Sequence, residues 1–140
     1  MADVQELLAK IATYRDQVIE MQRVLVETVA LAPENGGEGE LKKALAVEEM
    51  LRAIGVTDIR RCDAPDGRVP GGLRPNIVAK VSGKHPAPTV WVCAHLDVVP
   101  AGDLGQWNSD PFRLTVAGDK VYGRGTEDNH QAVVSGLLAV

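Results

Sequence analysis

At 140 residues the chain is long enough for one domain with a real core, and its 45% hydrophobic content supports folding rather than disorder. A formal net charge of -4 with 4% aromatic residues supplies neither a basic field nor stacking platforms, which argues against a nucleic-acid partner. No apolar run approaches the roughly 20 residues of a membrane span, the acidic start is no signal peptide, and Cys62 and Cys93 form no Cys-x-x-Cys pair, so a soluble, cytoplasmic protein is expected.

Asp3 with Glu6 resembles a capping box, and apolar residues at Val4, Leu7, Leu8, Ile11, Val18, Leu25 and Val29 keep helical spacing, predicting one long amphipathic helix up to Leu31. Pro33 and Gly36-Gly37 stop it. A second helix carries Leu41, Leu45, Leu51 and Ile54 before Gly55, a good C-terminal cap. The period then changes: residues 57–62 and 76–82 read as short strands on either side of a Pro- and Gly-rich surface loop over 63–75. Residues 89–94 are apolar on both faces, as in a central strand covered by helices, which makes Cys93 a buried structural thiol. Beyond a loop with Trp107 and Asp110-Pro111, Ala117-Gly118-Asp119 reads as a hairpin turn, and a last helix begins near Asn129. That helix meets no stop signal before Val140, so the chain is expected to be the N-terminal piece of a larger protein.

Chemistry concentrates at two places. The apolar run ends in His95-Leu-Asp97, and on an extended strand residues at i and i+2 point the same way, which brings the Asp97 carboxylate within reach of the His95 ring. A carboxylate so placed fixes the tautomer and orientation of a metal-ligating imidazole. Downstream, Tyr122-Gly-Arg-Gly-Thr-Glu-Asp128-Asn129 is a Gly-rich turn that delivers a second carboxylate at a helix start.

Three segments in order, His95-Leu-Asp97-Val-Val-Pro100, then Trp107 with Asp110-Pro111-Phe112, then Tyr122-Gly-Arg-Gly-Thr-Glu-Asp128, make the chain similar to the start of a zinc-dependent acylase and exopeptidase family. The family includes succinyl-diaminopimelate desuccinylase, acetylornithine deacetylase, aminoacylase and the glutamate carboxypeptidases, and the resemblance runs from Ala2 to Val140. It implies that His95 ligates a metal, that Asp97 clamps its imidazole in support of catalysis, and that Asp128 bridges two zinc ions, followed by a cis peptide bond to Asn129. Glycines 123 and 125 would let the backbone turn sharply and present Asp128. The implied cofactor is zinc, as one or two ions, with cobalt or manganese as substitutes.

The implied reaction is hydrolysis of an N-acyl amino acid or small peptide by metal-activated water. In the family's order the base glutamate and remaining ligands lie beyond residue 140, so the 140-residue chain alone is expected to be inactive. The implied fold is α/β, a three-layer sandwich with a mixed, largely parallel sheet between helices, truncated before its last strands. Residues 1–140 would form the N-terminal part of the catalytic domain, with the lid or dimerisation domain absent. Asn129-His130-Gln131 stands where many relatives have Met-Lys-Gly, which leaves the substrate open.

The other candidates have plainer readings. His130 is expected to be a packed or solvated histidine, and His85, Glu127 and Asp119 to be polar turn residues. Arg124 is expected to brace the Gly-rich turn, and Trp107 and Phe112 to pack the long loop. A reading from another class is a non-catalytic, self-associating metal-binding or scaffold module, which would form a homo-oligomer through an exposed helix face and sheet edge.

Overall fold

The computed structural model describes residues 3–85 and 87–140. Its α-helices are α1 (Val4–Ala12), α2 (Arg15–Glu27), α3 (Leu41–Ala53) and α4 (Gln131–Leu138). The strands are β1 (Asp58–Arg61), β2 (Ala64–Pro65), β3 (Leu73–Arg74), β4 (Ile77–Lys80), β5 (Thr115–Ala117) and β6 (Lys120–Tyr122).

Asp3 caps α1 by accepting from the Gln5 amide at 3.0 Å. The expected single helix is broken after Ala12, where the Thr13 hydroxyl donates to the Lys10 carbonyl at 2.7 Å and the Thr13 and Tyr14 amides bond three residues back. Such bonds tighten the last turn and release α2 in a new direction. The face of α1 that carries Val4, Leu7, Leu8 and Ile11 is exposed, whereas α2 buries Gln22, Leu25 and Val26.

The core is built from Leu25 of α2, Val47 and Leu51 of α3, Val56, and Val133, Val134 and Leu137 of α4. Ile59 of β1 and Ile77 of β4 pack against it, and these strands pair antiparallel with Ile59 opposite Ala79. On α3 the buried stripe differs from the expected one: Ala44, Val47 and Leu51 are inside, and Leu45 and Ile54 face out.

Strand pairing departs from expectation as well. Among the described residues there are three separate two-stranded antiparallel sheets, β1–β4, β2–β3 and β5–β6, in place of a largely parallel layer. Parallel pairing is confined to a bridge between Leu31 and Val98, in which the Val98 amide donates to the Ala30 carbonyl at 2.9 Å. Residues 89–94 form no strand; Val90 and Trp91 are 81% and 74% exposed, and Cys93 is exposed rather than buried. An apolar run becomes a central strand only when neighbours pair its backbone and cover both faces, and nothing described here does either.

The hairpin at Ala117-Gly118-Asp119 forms as its sequence demands, with Ala117 paired to Lys120 and Gly118 at φ +63°. The 63–75 loop contains the small β2–β3 ladder, which the Pro and Gly density had obscured. Among the described residues no helix is long and apolar enough to cross a membrane.

Candidate functional site

The turn over Thr126–His130 connects the β5–β6 hairpin to α4, and the sequence folds it by local constraint. Gly125 enters at φ +91°, where a side chain is strained, and the His130 amide closes the loop on the Gly125 carbonyl at 2.9 Å. Inside the turn Asp128 has the non-helical angles φ -113° and ψ 94°, and its bond to Asn129 is cis. The Asp128 side chain is 86% exposed and reaches the end of the 89–97 run.

There it meets His95. The ring Nε2 lies 2.9 Å from Asp128 Oδ1, and Nδ1 lies 3.0 Å from the Asp97 carbonyl and 3.3 Å from Asp97 Oδ1. The expected grouping of His95, Asp97 and Asp128 is therefore present, although Asp97 holds the ring with its backbone oxygen as much as with its carboxylate. With an acceptor at each nitrogen, the imidazolium form is favoured. The Asp128 hydrogen bond, aided by the Asp97 carbonyl and both carboxylates, raises the His95 pKa against a smaller effect of burial. These residues, with Val98, Val99 and 123–127, line an open cleft of roughly 200 Å³.

No third histidine, cysteine or acidic side chain joins His95 and Asp128 as a metal cluster among the described residues. The pair still fits a divalent cation as a half-site. Two donors about 2.0–2.2 Å from one tetrahedral ion sit roughly 3.3–3.6 Å apart, so the observed 2.9 Å pair would open by about half an ångström to admit a cation. A cation would take the place of the shared proton, with Nδ1–H still held by Asp97.

The other candidates are placed as follows. Arg124 braces the long loop: its Nη2 donates to the Ala101 carbonyl at 3.4 Å and its guanidinium lies 5.2 Å from the centroid of the Trp107 ring. Trp107 Nε1 donates to the same carbonyl at 2.9 Å. Glu127, Asp119 and His85 are exposed.

His130 is fully buried, and its Nε2 lies 2.8 Å from Nζ of Lys43, itself 1% exposed on α3. Sequence reasoning missed Lys43 because a lysine in an amphipathic helix defaults to the solvent face. Its spacing with Val47 and Leu51 was the signal that could have found it. Gln22 of α2, also buried, donates to the Thr126 carbonyl at 3.2 Å.

Burial lowers the Lys43 pKa to about 8, opposed by the carboxylates of Asp97 and Glu40. Burial, with the charges of Lys43 and His95, lowers that of His130 to about 3, so the pair is an ammonium donating to a neutral imidazole near pH 7.

A pH dependence follows from Lys43. Between pH 8 and the unfolded value of 10.5 the unfolded chain holds a proton that the folded chain has lost, so stability rises with pH across this window. At about 1.4 kcal/mol per unit the gain is of order 3 kcal/mol. Urea midpoints measured from pH 8 to 10.5 are expected to climb in the native chain, and to climb less in Lys43→Met, which has no amine to titrate.

The model of the family described as "Peptidase family M20/M25/M40" matches residues 91–140. An uncharacterised metallohydrolase of Methanococcus maripaludis is 38% identical over 128 residues, covering 88% of this chain and 30% of that protein. The Beta-Ala-His dipeptidase of Rattus norvegicus is 30% identical over 145 residues, covering 98% of this chain and 29% of that one. Among solved structures, human carnosine dipeptidase 1 superposes with a TM-score of 0.74 at 27% identity, over 99% of this chain and 30% of its own. The chain thus spans about 30% of the length of the curated relatives it matches.

Proposed function

We propose that this chain belongs to peptidase family M20/M25/M40, whose model matches residues 91–140, and that the protein it forms part of is a cytoplasmic, metal-dependent hydrolase of amide bonds in small peptides or N-acyl amino acids. What supports the reading is the convergence of His95 Nε2 and Asp128 Oδ1 at 2.9 Å, with Asp97 behind the ring, in a cleft open to solvent. Residues 1–140 are proposed to be the N-terminal part of its catalytic domain. The three-layer sandwich with a largely parallel sheet is proposed for the whole protein, in which residues 89–94 would gain strand partners.

His95 and Asp128 are proposed as metal ligands, which would hold one ion or share two. An imidazole and a carboxylate suit zinc, and also accept cobalt or manganese. When bound, the metal supplies a Lewis acid and an activated water at neutral pH. The chain's own residues do the holding. Asp97 keeps Nδ1 protonated and so leaves Nε2 free to bind, while the turn fixes the direction of the Asp128 oxygens. No base is assigned within the chain, and residues 1–140 alone are proposed to be inactive. The acidic balance favours a small substrate over a nucleic acid.

The test is hydrolysis by the whole protein of a panel of dipeptides and N-acyl amino acids, before and after chelation. Activity is expected to vanish with chelator and to return with zinc, cobalt or manganese. Turnover untouched by thorough chelation would overturn the reading. The competing reading, a non-catalytic self-associating module, draws on the exposed Val90-Trp91-Val92 run. It predicts no hydrolysis of any panel member under any metal, together with concentration-dependent sedimentation.

A further inference from the structure

The candidate site stands on a turn held from behind by buried polar groups that the proposed chemistry does not use. Asp128 is exposed, and among the described residues its side chain hydrogen-bonds to His95 alone. Both ends of the turn, in contrast, are tied to core helices. Gln22 of α2 holds the Thr126 carbonyl, and Lys43 of α3 holds the His130 ring.

The Lys43 tie is costly to build. An ammonium buried to 1% exposure loses its hydration, and no carboxylate comes within ion-pair distance of it among the described residues. Its hydrogen-bond partner is an uncharged ring whose other nitrogen, Nδ1, is buried without a hydrogen bond among the described residues. A donor to Nε2 requires the Nδ1–H tautomer, so the fold accepts an unpaired N–H to keep this contact. The ring also packs on Gly125, where an added Cβ would lie 2.5 Å from its Cε1, so its position and the entry of the turn are mutually fixed.

We propose that Lys43 and His130 are positioning residues: the buried Lys43–His130 hydrogen bond clamps the Thr126–His130 turn to α3 and thereby sets where the Asp128 carboxylate stands relative to His95. The proposal goes beyond the assigned ligands and rests on the functional reading only for what Asp128 does once in place.

The experiment compares the native chain with Lys43→Met, His130→Phe and the double variant, all at one neutral pH. Histidine 15N NMR reads the His130 tautomer, a nuclear Overhauser contact reads the distance between the His95 ring and the Asp128 methylene, and zinc calorimetry reads affinity. In the native chain His130 is expected to carry its proton on Nδ1, with the His95–Asp128 contact present. Each single variant is expected to lose that contact and about tenfold in zinc affinity, and the double variant no more than either, as for two ends of one bond. If Lys43→Met fails to fold, Lys43→Gln keeps a donor on a shorter stem and is expected to give an intermediate loss.

An unchanged contact and affinity in a folded Lys43→Met chain would overturn the clamp, as would losses that multiply in the double variant. A native His130 protonated on Nε2 would overturn it too. If the contact responds as expected but zinc binding is indifferent to His95→Ala, the clamp stands and the metal reading fails.

Discussion

Asp128→Ala is expected to abolish function while leaving the fold intact. The carboxylate is 86% exposed and among the described residues its hydrogen-bond partner is the half-exposed His95 ring, so its loss removes no buried hydrogen bond. Surface changes of this kind alter stability by about 0.5 kcal/mol or less. The consequence for a bound cation is large. Loss of a residue that merely orients a ligand typically costs 10–100-fold in metal affinity, and loss of a ligand costs more. A fall of at least ~100-fold in zinc affinity is expected in the whole protein, with turnover down by at least ~1,000-fold, or about 4 kcal/mol of barrier. Competition with a chelating indicator, an amide-hydrolysis assay and a urea titration check the three parts. Unchanged affinity would remove Asp128 from the ligand set.

Gly125→Ala is expected to do the reverse and act first on stability. At φ +91° any L-residue is strained by about 1–2 kcal/mol. The added methyl would also sit 2.5 Å from His130 Cε1 and 2.7 Å from Val98 Cγ1, in a packed place where neither neighbour can retreat. Overpacking of this kind costs a further ~1–3 kcal/mol. A total near 3 kcal/mol corresponds to a urea midpoint more than about 1 M lower at a typical slope. Gly118 supplies the control: it shares a positive φ, +63°, but an added Cβ meets open space. Gly118→Ala is therefore expected to cost only about 1 kcal/mol. Equal losses at the two positions would show that backbone strain alone matters and that the ring contact at Gly125 does not.

Legibility in the sequence tracked how local each feature was. The β5–β6 hairpin depends on one glycine at one turn and was readable, as was the start of the last helix. So was the grouping of His95 with Asp97, which are neighbours in sequence, although the share taken by the Asp97 backbone carbonyl leaves no trace in a residue pattern.

Features set by tertiary partners were not readable. On α3 the leucines suggested one face, but the helix turns Glu40, Lys43, Ala44, Val47, Glu48 and Leu51 inward. That stripe has the correct spacing and the wrong polarity, because Arg74 and Arg61 pair with the charges of Glu40 and Glu48 and the neutral His130 ring accepts a hydrogen bond from Lys43. The apolar run over 89–94 forms no strand here for the opposite reason: its composition describes a covered strand, and cover is a property of neighbours.

Val90, Trp91 and Val92 are uncharged, strongly β-prone and open to solvent, the makings of a segment that adheres to other chains. Natural sequences often flank such segments with polar residues that interrupt stacking. On the downstream side the first ionisable side chains after the run, apart from the Cys93 thiol, are His95 and Asp97. His95, a proposed metal ligand, and Asp97, which holds its ring, thus also interrupt the chain's most adhesive stretch. A variant that loses both is expected to bind metal less well and to aggregate more readily.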